Sequence, residues 1–363
     1  MSALFEPITL RSLTLRNRVW MAPMCQYSAH PDGPDQGAPN DWHFAHYTSR
    51  AVGGVGLVLT EATAVSPEGR ISPWDLGVWN DRQVEEFSRI ARFLDEQGVP
   101  FGIQLAHAGR KASTDAPWHG GGPVGEPYGW PTVGPSPIAF TEGHPVPEEL
   151  SAAGIAAVVA QFAAAAERAL AAGFKVAEVH GAHGYLIGQF LSPHSNHRTD
   201  GYGGSFENRI RLALEVVDAV REVWPDELPL LFRVSATDWL EHGGWTPEET
   251  VRLAKELLVR GVDLLDVSSG GNAAAQRIQA GPGYQVPFAA RVRAETEMPV
   301  AAVGEITDPR QAETIVAGGQ ADAVLLGREL LRRPTWPLLA AAELGATPRV
   351  PSQYARAYPR PAR

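Results

Sequence analysis

The chain has 363 residues, 44% hydrophobic and 20% charged, the balance of a globular protein long enough to bury a large core. A net charge of −10 and a pI near 5.6 argue against nucleic acid or an anionic membrane as partner, because phosphate-rich surfaces demand a basic face and no Lys/Arg cluster supplies one. A single cysteine, Cys25, excludes an internal disulfide and fits a reducing, cytoplasmic setting. The N-terminal MSALFEPITL lacks the pattern of an export signal, and no apolar run is expected to approach the ~20 residues of a membrane span.

Short apolar runs recur in chain order: RVWMAPM (18–24), VGLVLTEAT (55–63), FGIQLAHAG (101–109), VAEVHGAH (176–183), LPLLFRVSA (228–236), LLDVSSG (264–270), PVAAVGEI (299–306) and ADAVLLGR (321–328). Their near-continuous apolar character is what parallel strands buried on both faces require. Helical segments lie between them. Thr246-Pro247-Glu248-Glu249 and Asp308-Pro309 read as helix starts, and Gly98, Gly173 and Gly261 as stops in the left-handed conformation. Eight such β-then-α units predict an α/β fold, a (β/α)8 TIM barrel over 1–345 with the residues before Arg18 as a flap across its bottom. A doubly wound sheet would place G-x-G-x-x-G after an early strand, and none occurs. The Gly/Pro/Trp-rich stretch 113–147 is too irregular for a helix and reads as a long functional loop. Residues 346–363 have no apolar periodicity and read as a C-terminal extension.

In such a barrel, chemistry gathers at the C-terminal ends of the strands. Strand one offers Pro23, Met24, Cys25 and Tyr27; strand two Glu61 and Ala62; strand three Gln104 and His107; strand four His180, His183 and Tyr185. The remaining strands add Arg233, then Ser268, Ser269 and Gly270, then Gly304, then Gly327 with Arg328. Glycines ending strands seven and eight sit where these barrels hold a phosphate, and Arg328 would add charge. His180 and His183 admit three readings: zinc ligands, hydrogen-bond donors, or packing. No carboxylate has a clear ligand spacing to the pair, and no metal is expected.

The segments APMCQYS, GIQLAHAGRKAS, EVHGAHGYLIGQFLSPHSNHRTDGYGGSFENR, FRVSA, AVGEITDP and LLGRELLRRP resemble, in order and spacing, the Old Yellow Enzyme family of FMN-dependent ene-reductases. PMC and QYAR resemble its bacterial thermophilic-like branch. The resemblance implies non-covalent FMN, NADPH as hydride donor, and α,β-unsaturated carbonyl substrates (enones) reduced in a ping-pong cycle. It makes His180 and His183 donors to the substrate carbonyl oxygen and Tyr185 the acid that protonates Cα. It places Pro23, Met24, Cys25 and Ala62 against the isoalloxazine, Gln104 and Arg233 on its pyrimidine edge, and Gly304, Gly327 and Arg328 at the phosphate. Tyr27 would line the substrate pocket. Arg356 would reach a neighbouring subunit's site in a homodimer or homotetramer. A metal-dependent aldolase or isomerase barrel, and a phosphate- or flavin-binding barrel without turnover, are the competing readings.

Overall fold

Strands that are apolar along their whole length need cover on both faces, and a closed parallel barrel supplies it. The computed structural model describes residues 2–358. It forms a closed barrel of β1 (Val19–Met21), β2 (Leu57–Ala64), β3 (Phe101–Ala106), β4 (Val176–Gly181), β5 (Leu230–Ser235), β6 (Leu264–Ser268), β7 (Val300–Ala302) and β8 (Ala323–Leu326), every neighbour parallel. The ring closes where Val324, Leu325 and Leu326 pair with Val19, Trp20 and Met21. The helices that follow the strands are α1 (Asp41–Val52), α2 (Asp81–Glu96), α3 (Ala152–Ala172), α4 (Arg211–Val223), α5 (Pro247–Val259), α6 (Val286–Thr296), α7 (Pro309–Ala317) and α8 (Trp336–Glu343). The TIM barrel expected from the eight apolar runs is therefore present.

The core has two parts. Trp20, Leu57, Leu59, Val176, Leu231, Leu264, Ala301 and Leu325 fill the barrel, and Leu10 and Leu15 join them from an antiparallel hairpin, Ile8–Leu10 with Leu13–Leu15. That hairpin is the expected flap closing the bottom. A larger layer between strands and helices includes Phe87, Phe101, Phe162, Phe174, Val216, Phe232 and Trp336. Burying each such side chain stabilises the fold by about 1.5–3 kcal/mol.

Local signals hold where a side chain can satisfy free backbone groups. Thr246 accepts from the Glu249 N–H while Glu249 accepts from the Thr246 N–H, and Asp308 accepts from the N–H groups of Arg310 and Gln311. Gly173 ends α3 at φ +97°, donating to Ala169 and Leu170. One composition-based expectation needs correction. At 21 residues, α3 is long and apolar enough by composition to cross a membrane, because its alanines count as apolar. Here Ile155, Val158, Phe162, Ala165 and Ala169 are buried, and the helix packs against α2, α4 and β3.

Other differences have physical causes. The runs 18–24 and 299–306 are strand for only three residues each, and their ends bend away to line the barrel mouth. The long loop holds a short turn, Pro117–His119, and a two-residue pairing of Val133–Gly134 with Glu148–Glu149. The C-terminal extension has a turn, Ser352–Ala357, and residues 349–353 line a pocket together with Arg16, Ala51, Glu96 and Gln97 at the barrel bottom. Pro359 to Arg363 lie outside the described residues.

Removing the α5 cap tests this description of the helix starts. Thr246→Ala is expected to destabilise the protein by about 1 kcal/mol. It should lower the urea midpoint with no change of slope; an unchanged midpoint would contradict the cap's role.

Candidate active site

Parallel register sets the centre of the site. Ala62 pairs with Gln104 and Gln104 with Glu178; two residues further up, His180 pairs with Arg233 and Arg233 with Asp266. Side chains alternate along a strand, so these polar groups project into the barrel below its mouth. Gln104 Nε2 donates to Glu178 Oε1 at 2.7 Å, and Arg233 Nε lies 2.9 Å from Asp266 Oδ2. Burial raises the Glu178 and Asp266 carboxyls above the usual range, and the Arg233 charge pulls both back. The terminal nitrogens of Arg233 make no hydrogen bond to the described residues, while Glu178 Oε2 and His180 Nδ1 are buried without one. Together they form a polar edge lacking partners.

The histidine pair is presented by an unusual turn. His183 (φ +58°) and Gly184 (φ +69°) are both left-handed, and Tyr185 then caps the short helix Leu186–Leu191. A side chain at Gly184 would begin 2.4 Å from the Cα of Asn272, so only glycine lets the loop after β6 close on this turn. The His180 ring centroid lies 5.2 Å from that of His183 and 5.3 Å from that of Tyr185. Ser268 Oγ is 2.8 Å from His183 Nε2, and Ser235 Oγ accepts from the His183 N–H. Burial, then the nearby Arg233 charge, holds both imidazoles well below 6.5, so they are neutral. Burial likewise holds the Tyr185 phenol protonated.

Facing this triangle is an apolar floor of Ala62, Ile71, Ala106, Ala108 and Ala112, against which Cys25, Tyr27, Trp130 and Tyr185 pack. Burial, followed by the carboxyls of Asp75 and Glu61, raises the Cys25 thiol well above 9.0, so it is not a thiolate. A register shift between Leu59 and Ala62 turns Glu61 away from the barrel, where it accepts from the Gln26 N–H and the Tyr47 hydroxyl and so anchors the Cys25–Tyr27 bend. His107 accepts from the Gly109 N–H and belongs to the loop scaffold.

At the opposite side a cavity of about 420 Å3 runs from Ser268 and Gln285 past Gly304 to Gly327 and Arg328. Gly304, at φ +123°, leaves no room for a side chain beside Gln285, and Met24 stands by Gly327. Arg328 is 73% exposed and pairs at 3.5 Å with Glu305 at the edge of this cavity. An apolar floor, a polar edge in which the terminal nitrogens of Arg233 make no hydrogen bond to the described residues, and a cavity at the glycines with Arg328 on its rim fit the three parts of FMN. Among the described residues no group of three His, Cys, Asp or Glu side chains could hold a metal ion.

The structure brings together Met24, Cys25, Tyr27, Ala62, Gln104, His180, His183, Tyr185, Arg233, Gly304, Gly327 and Arg328 around one mouth, and Pro23 lies on the segment that leads from β1 to Met24. It does not bring Arg356, which stands exposed on the Ser352–Ala357 turn. Glu178, Asp266 and Gln285 had no assigned role; a lone charge inside an apolar run, as in VAEVH and LLDVS, was the available signal. Lys111 donates to the carbonyls of His183 and Gly271 at 2.8 Å and lies 4.9 Å from the Tyr185 ring centroid. Its ammonium is tied into the turn, and burial followed by Arg110 lowers it from 10.5 to about 8.

This predicts a pH signature. Between about 8 and 10.5 the unfolded chain holds the Lys111 proton and the folded chain does not, so raising pH through that window stabilises the wild type. Measured against Lys111→Met, the wild-type advantage should grow across the window and stay constant below it. A difference flat from pH 7 to 10.5 would contradict the assignment.

The NADH:flavin oxidoreductase / NADH oxidase family model matches residues 3–345. The NADPH dehydrogenase of Geobacillus sp. (strain WCH70) is 48% identical over 355 residues, covering 98% of each chain. Morphinone reductase superposes with TM-score 0.78 at 31% identity, covering 97% of this chain and 92% of its own. The old yellow enzyme homologue from Zymomonas mobilis gives 0.77 at 26%, covering 98% and 99%. With the flavin-shaped mouth built on residues the family model spans, the chain belongs to the NADH:flavin oxidoreductase / NADH oxidase family and is an FMN-dependent oxidoreductase of the Old Yellow Enzyme type.

Proposed function

We propose that the protein reduces the C=C bond of α,β-unsaturated carbonyl compounds with NADPH as donor, in a ping-pong cycle of two half-reactions at one mouth. The carrying observation is the triangle of two neutral imidazoles and a protonated phenol. FMN, held by Ala62, Gln104, Arg233 and the Gly304–Arg328 pocket, supplies the hydride carrier when bound. NADPH as donor is supported by the name of the 48% identical relative.

The chain's own residues do the rest. Hydride arrival at Cβ of an enone puts negative charge on its carbonyl oxygen, and His180 and His183, fixed in place, donate hydrogen bonds to it. Ser268 Oγ, 2.8 Å from His183 Nε2, fixes the orientation of that ring. Tyr185 hands its phenolic proton to Cα and regains one from solvent. Cys25 and Tyr27, held by Glu61, line the side of the pocket. We further assign residues 346–363 as an extension beyond the barrel, with Arg356 completing the mouth of a partner copy in a homodimer or homotetramer. Its exposure at the barrel bottom, remote from its own mouth, supports that reading.

Tyr185→Phe tests the proton-donor role. It should slow the enone half-reaction about 100-fold or more while leaving reduction by NADPH within about twofold. Loss of neither step in stopped-flow absorbance would remove the assignment. Since both histidines are neutral throughout, the enone half-reaction should show no limb from histidine protonation between pH 6 and 8. A rate that falls away below a pKa near 6.5 would contradict neutral donors.

A further inference from the structure

The long loop leaves a large aromatic side chain uncovered beside the mouth. Trp118, on the Pro117–His119 turn, is 63% exposed, more than the exposed aromatics Trp42, Tyr128 and Tyr354. Its indole meets Tyr27 edge-on, with centroids 5.6 Å apart and planes at 85°. Tyr27 packs at the same time on the floor that carries Cys25 and Tyr185. Behind Trp118 the aromatic surface continues through His119 to Trp74 and on to Tyr128, at centroid spacings of 6.1, 6.2 and 6.3 Å.

The exposure is built into the loop. The Asp115 N–H donates to the Gly122 carbonyl, the Val124 N–H to the Ser113 carbonyl and the Trp130 N–H to Ser113 Oγ. Trp130 Nε1 also donates to the Glu68 carbonyl. These bonds tie the base of the loop to the floor and hold the turn at its rim. An indole kept bare next to a reactive mouth offers apolar area and a π-face that only a ligand or another molecule can cover.

We propose that Trp118, together with Tyr27, is a specificity-determining wall that holds a flat aryl group of the substrate while its carbonyl lies at His180 and His183. Building on the ene-reductase reading, this names the substrate class: enones carrying an aryl substituent, preferred over compact cyclic ones. Continuity of the wall with the floor under Tyr185 favours this occupant over a second copy of the chain. Trp118 acts by contact with the non-reacting part of the substrate, so its effect appears as discrimination between substrates.

The test compares wild type, Trp118→Ala and Trp118→Phe as holoenzymes. The ratio of kcat/KM for 4-phenylbut-3-en-2-one to that for cyclohexenone should fall about tenfold in Trp118→Ala, equivalent to about 1.4 kcal/mol, and largely recover in Trp118→Phe. Calorimetric affinity for the saturated 4-phenylbutan-2-one, which needs no turnover, should fall by a similar factor. An unchanged ratio and affinity, or equal losses on both substrates, would overturn the proposal. Unchanged discrimination with a changed sedimentation coefficient would overturn it and assign Trp118 to a subunit contact. If the wild type reduces neither enone, the reductase reading fails, and the calorimetric comparison alone decides for or against the wall.

Discussion

The site rests on a buried ladder of charge across adjacent parallel strands. Gln104, Glu178, His180, Arg233 and Asp266 share the barrel interior because strand register places them in neighbouring rows. A charge that far from water is costly unless paired, and here one guanidinium stands against two carboxyls. The terminal nitrogens of Arg233 make no hydrogen bond to the described residues, and in the proposed reading a flavin's electron-rich edge would supply their acceptors. The same cation helps keep His180 and His183 neutral. In the proposed reading, cofactor binding and substrate polarisation would share this one electrostatic source.

Rigidity of the mouth comes from the loops that lock onto it. Arg110, buried, donates to the Asn272 carbonyl, and Lys111 to the carbonyls of His183 and Gly271, so the loop after β3 clamps those after β4 and β6. The left-handed His183–Gly184 pair is held by that clamp. Positioned donors of this kind stabilise developing charge without reorganising during the reaction. The loop beyond residue 113 is fastened at its base, with its aromatic rim standing toward solvent.

Much of this was legible in the sequence because it depended on local rules. Continuous apolar runs named all eight strands, Thr246 and Asp308 marked helix starts, and glycines marked stops. The His180–Tyr185 constellation and the glycines that line the cavity beside Arg328 followed from strand ends. Strand lengths at 18–24 and 299–306 were overestimated, because an apolar residue that lines a ligand pocket reads like one in a strand. Lys111 and Asp266 gained their roles only through contacts across distant strands, which spacing along one chain does not encode. The outward turn of Glu61 depends on a register shift in β2 with no mark in TEATA.

The most direct measurement of the account is the visible absorption spectrum of the purified protein without oxygen, recorded before NADPH, after NADPH, and after cyclohexenone. The account predicts a yellow flavin band that bleaches with NADPH and returns with the enone. A protein that takes up no FMN, or a band that bleaches and stays bleached when the enone is added, would contradict it.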